Sequence, residues 1–179
     1  MDIKNIIYIS TEFPPGPGGI GSHTYNLSKN LNSYFSTHVL TVSDYASVNE
    51  CILFDNKEKI YIHRFRRYKS KYFTIIKRLF DIYWHLKKYD YTHCIVSGRF
   101  ALYISIFIKK IFIRTKILGV FHGSELLSKN KIATFLLCKS IKSLDSIISV
   151  SKYTEKLIPI KINNNSKYIV PNGVNIEIN

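Results

Sequence analysis

Seven short runs rich in Ile and Val recur along the 179 residues, and stretches of helical spacing fill most of the gaps between them. The runs cover residues 6–10, 38–43, 60–65, 92–97, 116–121, 146–150 and 167–170. Most show little polar alternation, as strands do when both of their faces are covered. Helical spacing runs through 20–33, 72–88, 100–113, 131–144 and 152–162, the last opened by Ser151 as a cap. This order predicts an α/β fold, a doubly wound, mostly parallel, Rossmann-like sheet. The length suits one domain, taken as residues 1–170, without internal repeats and with Asn163-Asn164-Asn165 as a polar loop.

In such a sheet a ligand sits beyond the carboxyl ends of the strands, and the unusual residues gather there. The first run leads into Glu12-Phe13-Pro14-Pro15-Gly16-Pro17-Gly18-Gly19-Ile20-Gly21-Ser22-His23. Asp44 follows the second, Ser97-Gly98-Arg99 the fourth, and His122-Gly123-Ser124-Glu125 the fifth. Ser151-Lys152 and Pro171-Asn172-Gly173 follow the last two. Strand, stiff Pro/Gly turn and helix is a phosphate-binding order: bare glycine backbone admits an anion, and the helix start offers unpaired N–H groups. The plainer reading is a tight βα turn, although four glycines and three prolines in eight residues exceed what a turn requires. Gly16, Gly18 and Gly21 also satisfy G-x-G-x-x-G with Asp44 downstream, a dinucleotide (NAD) pattern. Against it, residues 11–15 separate the strand from the first glycine, and Pro17 divides the first pair.

Twenty-six Lys and Arg against 12 Asp and Glu give a net charge of +14, which favours a polyanionic partner without choosing one. Residues 72–89 narrow the choice. Ile75, Ile76, Leu79, Phe80, Tyr83 and Leu86 form an apolar stripe among Lys71, Lys77, Arg78, Lys87 and Lys88, with Trp84 interleaved. Such a helix packs on the core or docks on an anionic membrane surface. No nucleic-acid motif supports nucleic-acid binding.

Cys51, Cys94 and Cys138 are widely spaced and odd in number, as in a reduced, cytosolic protein, with Cys94 in the core. His, Cys and carboxylates show no metal-ligand spacing, so no metal is expected. His38, His63, His85 and His93 read as structural. Met1-Asp2-Ile3-Lys4 leads directly into a strand rather than a signal peptide, and the longest apolar run, 100–108, falls short of a membrane span.

Taken together, Phe13-Pro14-Pro15, Gly18-Gly19-Ile20, His23, Phe121-His122-Gly123-Ser124-Glu125, Val150-Ser151-Lys152 and Ile169-Val170-Pro171-Asn172-Gly173-Val174-Asn175 resemble, in order, the N-terminal half of family 4 glycosyltransferases of the GT-B fold. The resemblance implies transfer of a sugar, with retention, from a nucleotide-sugar donor to a glycan or lipid-linked acceptor. Polysaccharide biosynthesis is the expected setting. The net charge and the 72–89 helix add the expectation of action at the cytoplasmic face of a membrane, and no cofactor is expected beyond the donor. By position, Gly18 and Gly19 contact the donor diphosphate and His122 is catalytic. Glu12, His23, Ser97, Arg99 and Glu125 line the acceptor side.

The family's nucleotide-binding half, with its paired glutamates, has no counterpart in these residues. Residues 171–179 read as the start of a linker toward that half, supplied in cis or by a separate chain, and this chain alone is expected to be inactive. Glu50 and Glu58 reproduce the glutamate spacing in the wrong half, a coincidence. A non-catalytic module for glycan or phosphate ligands, or a subunit of a two-chain transferase, is the alternative, with an NAD-binding domain third.

Overall fold

The computed structural model describes residues 4–127, 130–159 and 166–173. Its strands are β1 (Asn5–Ser10), β2 (Ser36–Val42), β3 (Tyr61–Phe65), β4 (Tyr91–Ser97), β5 (Lys116–Phe121), β6 (Ser146–Ser149) and β7 (Ser166–Ile169). The helices are α1 (Gly19–Leu31), α2 (Val48–Asp55), α3 (Lys71–Lys88), α4 (Arg99–Ile111), α5 (Lys131–Ser143) and α6 (Lys152–Lys156). All seven strands form one sheet in the order β3-β2-β1-β4-β5-β6-β7, and every pairing is parallel. The winding reverses between β1 and β4, the switch point at which such sheets open a crevice.

Strand residues alternate between two cores. Ile7, Ile9, Leu40, Cys94, Val96, Ile117 and Phe121 pack with Ile82 of α3, Leu102 and Ile108 of α4, and Leu137 and Ile141 of α5. On the other face Tyr8, Val39, Ile95 and Val120 lie under Tyr25, Leu27 and Leu31 of α1 and Phe54 of α2. Both faces are therefore apolar, which is why the runs read as continuous rather than alternating. Truncating a fully buried member such as Leu102 to Ala costs about 2–5 kcal/mol.

Three elements differ from the sequence reading. Helix α2 is not signalled by periodicity, because only Cys51 of its residues is buried. It is started locally instead: Ser47 Oγ accepts the Glu50 N–H, and the Glu50 carboxylate accepts the Ser47 N–H at 2.8 Å, a capping box. A 3-10 turn at Ser124–Leu126 follows β5. Helix α6 ends at Lys156, short of the 152–162 expected. Residues 160–162, the Asn163-Asn164-Asn165 loop and most of the expected linker (174–179) lie outside the described residues.

The stripe on α3 is also corrected. The residues facing the core are Thr74, Arg78, Ile82 and Leu86, four apart and so on one side of the helix. Arg78 is accepted there because it pairs with Asp44 at 3.1 Å. Of the six residues expected in the stripe only Leu86 is buried, while Ile75, Ile76 and Phe80 stand in solvent. No described helix is long and apolar enough to cross a membrane.

Candidate functional site

The loop after β1 is held from below and behind. Ser10 Oγ donates to Glu12 O at 2.8 Å and shares a hydrogen bond with Thr24 Oγ1 at 3.0 Å, tying the strand end to α1. Phe13 is buried, with Tyr25 and Phe54 edge-on at 6.0 and 6.1 Å. Arg64 of β3 donates two 2.8 Å hydrogen bonds to Asp55 of α2 and a third to the Pro14 carbonyl, with its guanidinium 5.7 Å over the Phe13 ring. Gly16 N donates to Phe13 O at 3.2 Å, closing the turn.

The loop then reaches α1 through two glycines with different reasons to be glycine. Gly18 adopts φ 134° and ψ 147°, a region almost closed to other residues, and a Cβ there would collide with the Glu12 carboxylate. Gly19 has no such conformation, and a Cβ on it would meet nothing within 4 Å. The fold does not require its bareness. Helix α1 has no side-chain cap and no acidic residue in its first turn, so its N-terminal dipole end is not neutralised by its own residues.

Across the switch point, His122 follows β5 and Ser97 ends β4. Ser97 Oγ lies 3.1 Å from His122 Nε2. The His122 N–H donates to Glu125 Oε1 at 2.8 Å, and Ser124 Oγ donates to Glu125 Oε2 at 3.3 Å. Arg99 reaches over the turn to the Ser124 and Glu125 carbonyls at 3.4 Å. His23, one turn into α1, stands edge-to-face with His122, ring centroids 4.9 Å apart. Burial lowers the His122 pKa. It takes His23 to about 4, with the facing His122 a smaller cause. Both rings are therefore neutral at pH 7, each with one donor and one acceptor nitrogen.

The structure thus brings His23, Ser97, Arg99, His122 and Glu125 into one cluster, and sets Glu12 beside Gly18. Ser97 is fully buried and Glu125 is 3% exposed. Both hydrogen-bond His122, Ser97 at its ring and Glu125 at its backbone N–H.

Sequence reasoning missed Ser22 and Asn26. With Gly19, His23, Pro171 and Asn172 they line a 380 Å³ cavity between α1 and the segment after β7. The signal was available, since these α1 positions lie three and four residues apart on one helix face. The buried Nδ1 of His23 has no hydrogen-bond partner among the described residues.

The competing patterns have local explanations. Asp44 is paired with Arg78, Gly16 packs against Tyr45, and Gly21 against the Phe13 backbone. Glu50 caps α2, and Glu58 accepts from Tyr25 Oη at 2.9 Å. Of the remaining histidines, His38 bonds Tyr91 Oη at 2.8 Å, the His85 ring lies tilted against that of His63 with centroids 4.5 Å apart, and His93 meets Thr92 Oγ1 at 3.0 Å. Cys51 and Cys94 are buried and unpaired. No group of three His, Cys, Asp or Glu is placed to hold a metal among the described residues.

A seven-stranded parallel sheet with these groups at its switch point is the Rossmann-like architecture of a GT-B N-terminal domain. Solved structures share it. Sucrose-phosphate synthase from Thermosynechococcus elongatus superposes with a TM-score of 0.70 at 13% identity, over 96% of this chain and 49% of its own. Anabaena HepE, solved in complex with UDP, gives 0.69 at 13% identity over 95% and 44%. A glycosyltransferase from Rickettsia africae gives 0.66 at 18% identity over 96% and 44%. At these identities the likeness is one of fold, and the chain spans about half the length of these relatives. No curated protein matches the sequence. The profile of Glycosyltransferase Family 4 matches residues 17–178, nearly the whole chain, and the chain belongs to that family.

Proposed function

We propose that this chain is the acceptor-side domain of a retaining hexosyltransferase that moves a sugar from a nucleotide-sugar to a lipid-linked or polysaccharide acceptor in the cytoplasm. It works with a nucleotide-binding domain supplied in cis or by a second chain, and alone it is inactive, because one wall of a cleft cannot position two substrates. The observation that carries the reading is Gly19. It is a bare, unobstructed backbone at an uncapped helix start, one turn from His23 and so from the His122 ring that His23 faces.

The chemistry fits those parts. Leaving of the nucleotide builds negative charge on its diphosphate and positive charge at the anomeric carbon. Fixed N–H dipoles at the start of α1 stabilise the first without reorganising. Neutral His122, its ring held by Ser97 and its backbone by Glu125, hydrogen-bonds the transferred sugar or relays the acceptor proton. His23 and Arg99 face the acceptor, and Glu12 supports Gly18. No metal or further cofactor enters this reading.

The test is nucleotide release from a panel of nucleotide-sugars by the protein completed with its nucleotide-binding half, with membrane extract as acceptor. His122→Ala is expected to lower kcat by roughly 10²–10⁴-fold. Turnover unchanged in that variant removes His122 from the mechanism, and no turnover by the completed protein favours a non-catalytic binding module.

A further inference from the structure

Helices α3, α4 and α5 cover one face of the sheet, and their outer side is unlike the rest of the molecule. On α3 the buried stripe Thr74, Arg78, Ile82, Leu86 is opposed by a second one. At 100° per residue Tyr72, Ile76, Phe80 and Trp84 fall on the opposite side of the helix, where they are 82, 62, 51 and 48% exposed. Phe80 and Trp84 pack together at 5.8 Å, and Lys77 and Lys87 lie over their rings at 5.1 and 5.2 Å. Helix α5 repeats the arrangement with exposed Ile132 and Phe135, the latter under Lys139 at 4.9 Å. Helix α4 lies between them, joined to α3 by the Tyr83–Phe112 and Arg78–Phe100 contacts. The three helices carry eleven Lys and Arg and one carboxylate, Asp81. Arg78 faces the core on Asp44, Lys109 pairs with Asp145 and Arg99 sits at the cleft, and among the described residues the other lysines have no such partner on these helices.

We propose that this three-helix face is a docking surface for an anionic lipid bilayer, with the aromatic stripe of α3 inserted at the headgroup level. Charge selects the occupant. A second copy bringing the same face would set like charge against like, because only Asp81 is available as a complement. A bilayer with anionic headgroups answers both features: apolar rings enter the interface, and the lysines around them meet lipid phosphates. The Lys77 and Lys87 ammonium groups lie over the Phe80 and Trp84 rings, which puts the positive charge and the apolar surface at the same place on the helix. The basic segment Arg66, Arg67, Lys69 follows β3 at the same carboxyl edge as His122. The proposal does not depend on sugar transfer, since it concerns the helical face and not the cleft.

Trp84 is the chain's single tryptophan, so the surface carries its own reporter. The 179-residue chain is mixed with vesicles of phosphatidylcholine containing about 30 mol% phosphatidylglycerol, and with phosphatidylcholine alone. Co-sedimentation with the anionic vesicles is expected at low salt, weakened at ~0.5 M salt, together with a blue shift of Trp84 emission. Ile76→Ser/Phe80→Ser should weaken vesicle binding about tenfold or more. Its melting curve should stay unchanged, because both residues are exposed. Lys77→Glu/Lys87→Glu should weaken binding to anionic vesicles alone. No binding to anionic vesicles, unmoved Trp84 emission on binding, or equal binding by the Ile76/Phe80 variant overturns the proposal. Self-association through this face, seen as a dimer broken by that variant, also overturns it.

Discussion

Two adjacent glycines divide the work of the site at the residue scale. Gly18 is required by the backbone, in a region that costs other residues roughly 1–3 kcal/mol and with Glu12 against it. Gly19 is required by nothing in the fold. Gly18→Ala should therefore lower stability by that amount in urea denaturation, along with activity. Gly19→Ala should leave stability unchanged or raise it by up to about 1 kcal/mol. In the completed enzyme the same change should reduce turnover about tenfold or more, as loss of an oxyanion donor does. A Gly19→Ala enzyme with full turnover would place the donor phosphates elsewhere. The sequence showed which residues were unusual: glycines after a strand and His122 at the end of another. It did not show that Ser97 and Glu125 are buried supports. That depends on which side chains meet across β4 and β5, and residue types do not encode it.

At the scale of elements, the Pro/Gly loop owes its position to α2 and β3 rather than to itself. Arg64 ties β3 to Asp55 of α2 and to the Pro14 carbonyl while lying over Phe13. With Arg64 only 10% exposed, Arg64→Met leaves a half-buried carboxylate unpaired, a loss on the order of 3 kcal/mol. Urea denaturation checks the magnitude, and a much smaller loss would show that Phe13 packing alone anchors the loop. Strands and long helices were legible because apolar runs mark them. Helix α2 was not, since its signal is the Ser47–Glu50 box and its apolar residues Val48, Ile52 and Leu53 are exposed. The stripe of α3 was misplaced for a related reason. Apolar residues surround that helix, and periodicity alone cannot say which side meets the sheet.

For the whole molecule, titration between pH 7 and 4 has one direction. Burial lowers the pKa of His23, His38, His63, His85 and His122. The unfolded chain therefore binds more protons than the folded one below pH 6.5, and for His23 down to about 4. Stability from these rings is full above pH 6.5 and is lost as pH falls through that window. Burial alone would raise Asp145, but the Lys109 ammonium and the Ile117 N–H outweigh it and hold its pKa below the usual carboxylate value. Its contribution is lost in the same direction, further into acid. Melting temperature should fall steadily from pH 7 to 4, and His23→Gln should flatten part of that slope. A melting temperature independent of pH between 7 and 4 would contradict the buried-imidazole arrangement.

The strand–helix alternation already implied a doubly wound, parallel sheet, but not the strand order or the reversal between β1 and β4. For the cavity between α1 and the segment after β7, the α1 face was legible from its spacing, but its pairing with Asn172, 150 positions from Ser22, depends on the folded sheet. The measurement that bears most directly on the whole account is complementation. Nucleotide release from nucleotide-sugars is followed with this chain alone, with its nucleotide-binding half alone, and with both together or joined. Release by the combination only is the predicted result, with this chain supplying His122 and the acceptor wall. Release by this chain alone, or by the other half without it, would contradict the account.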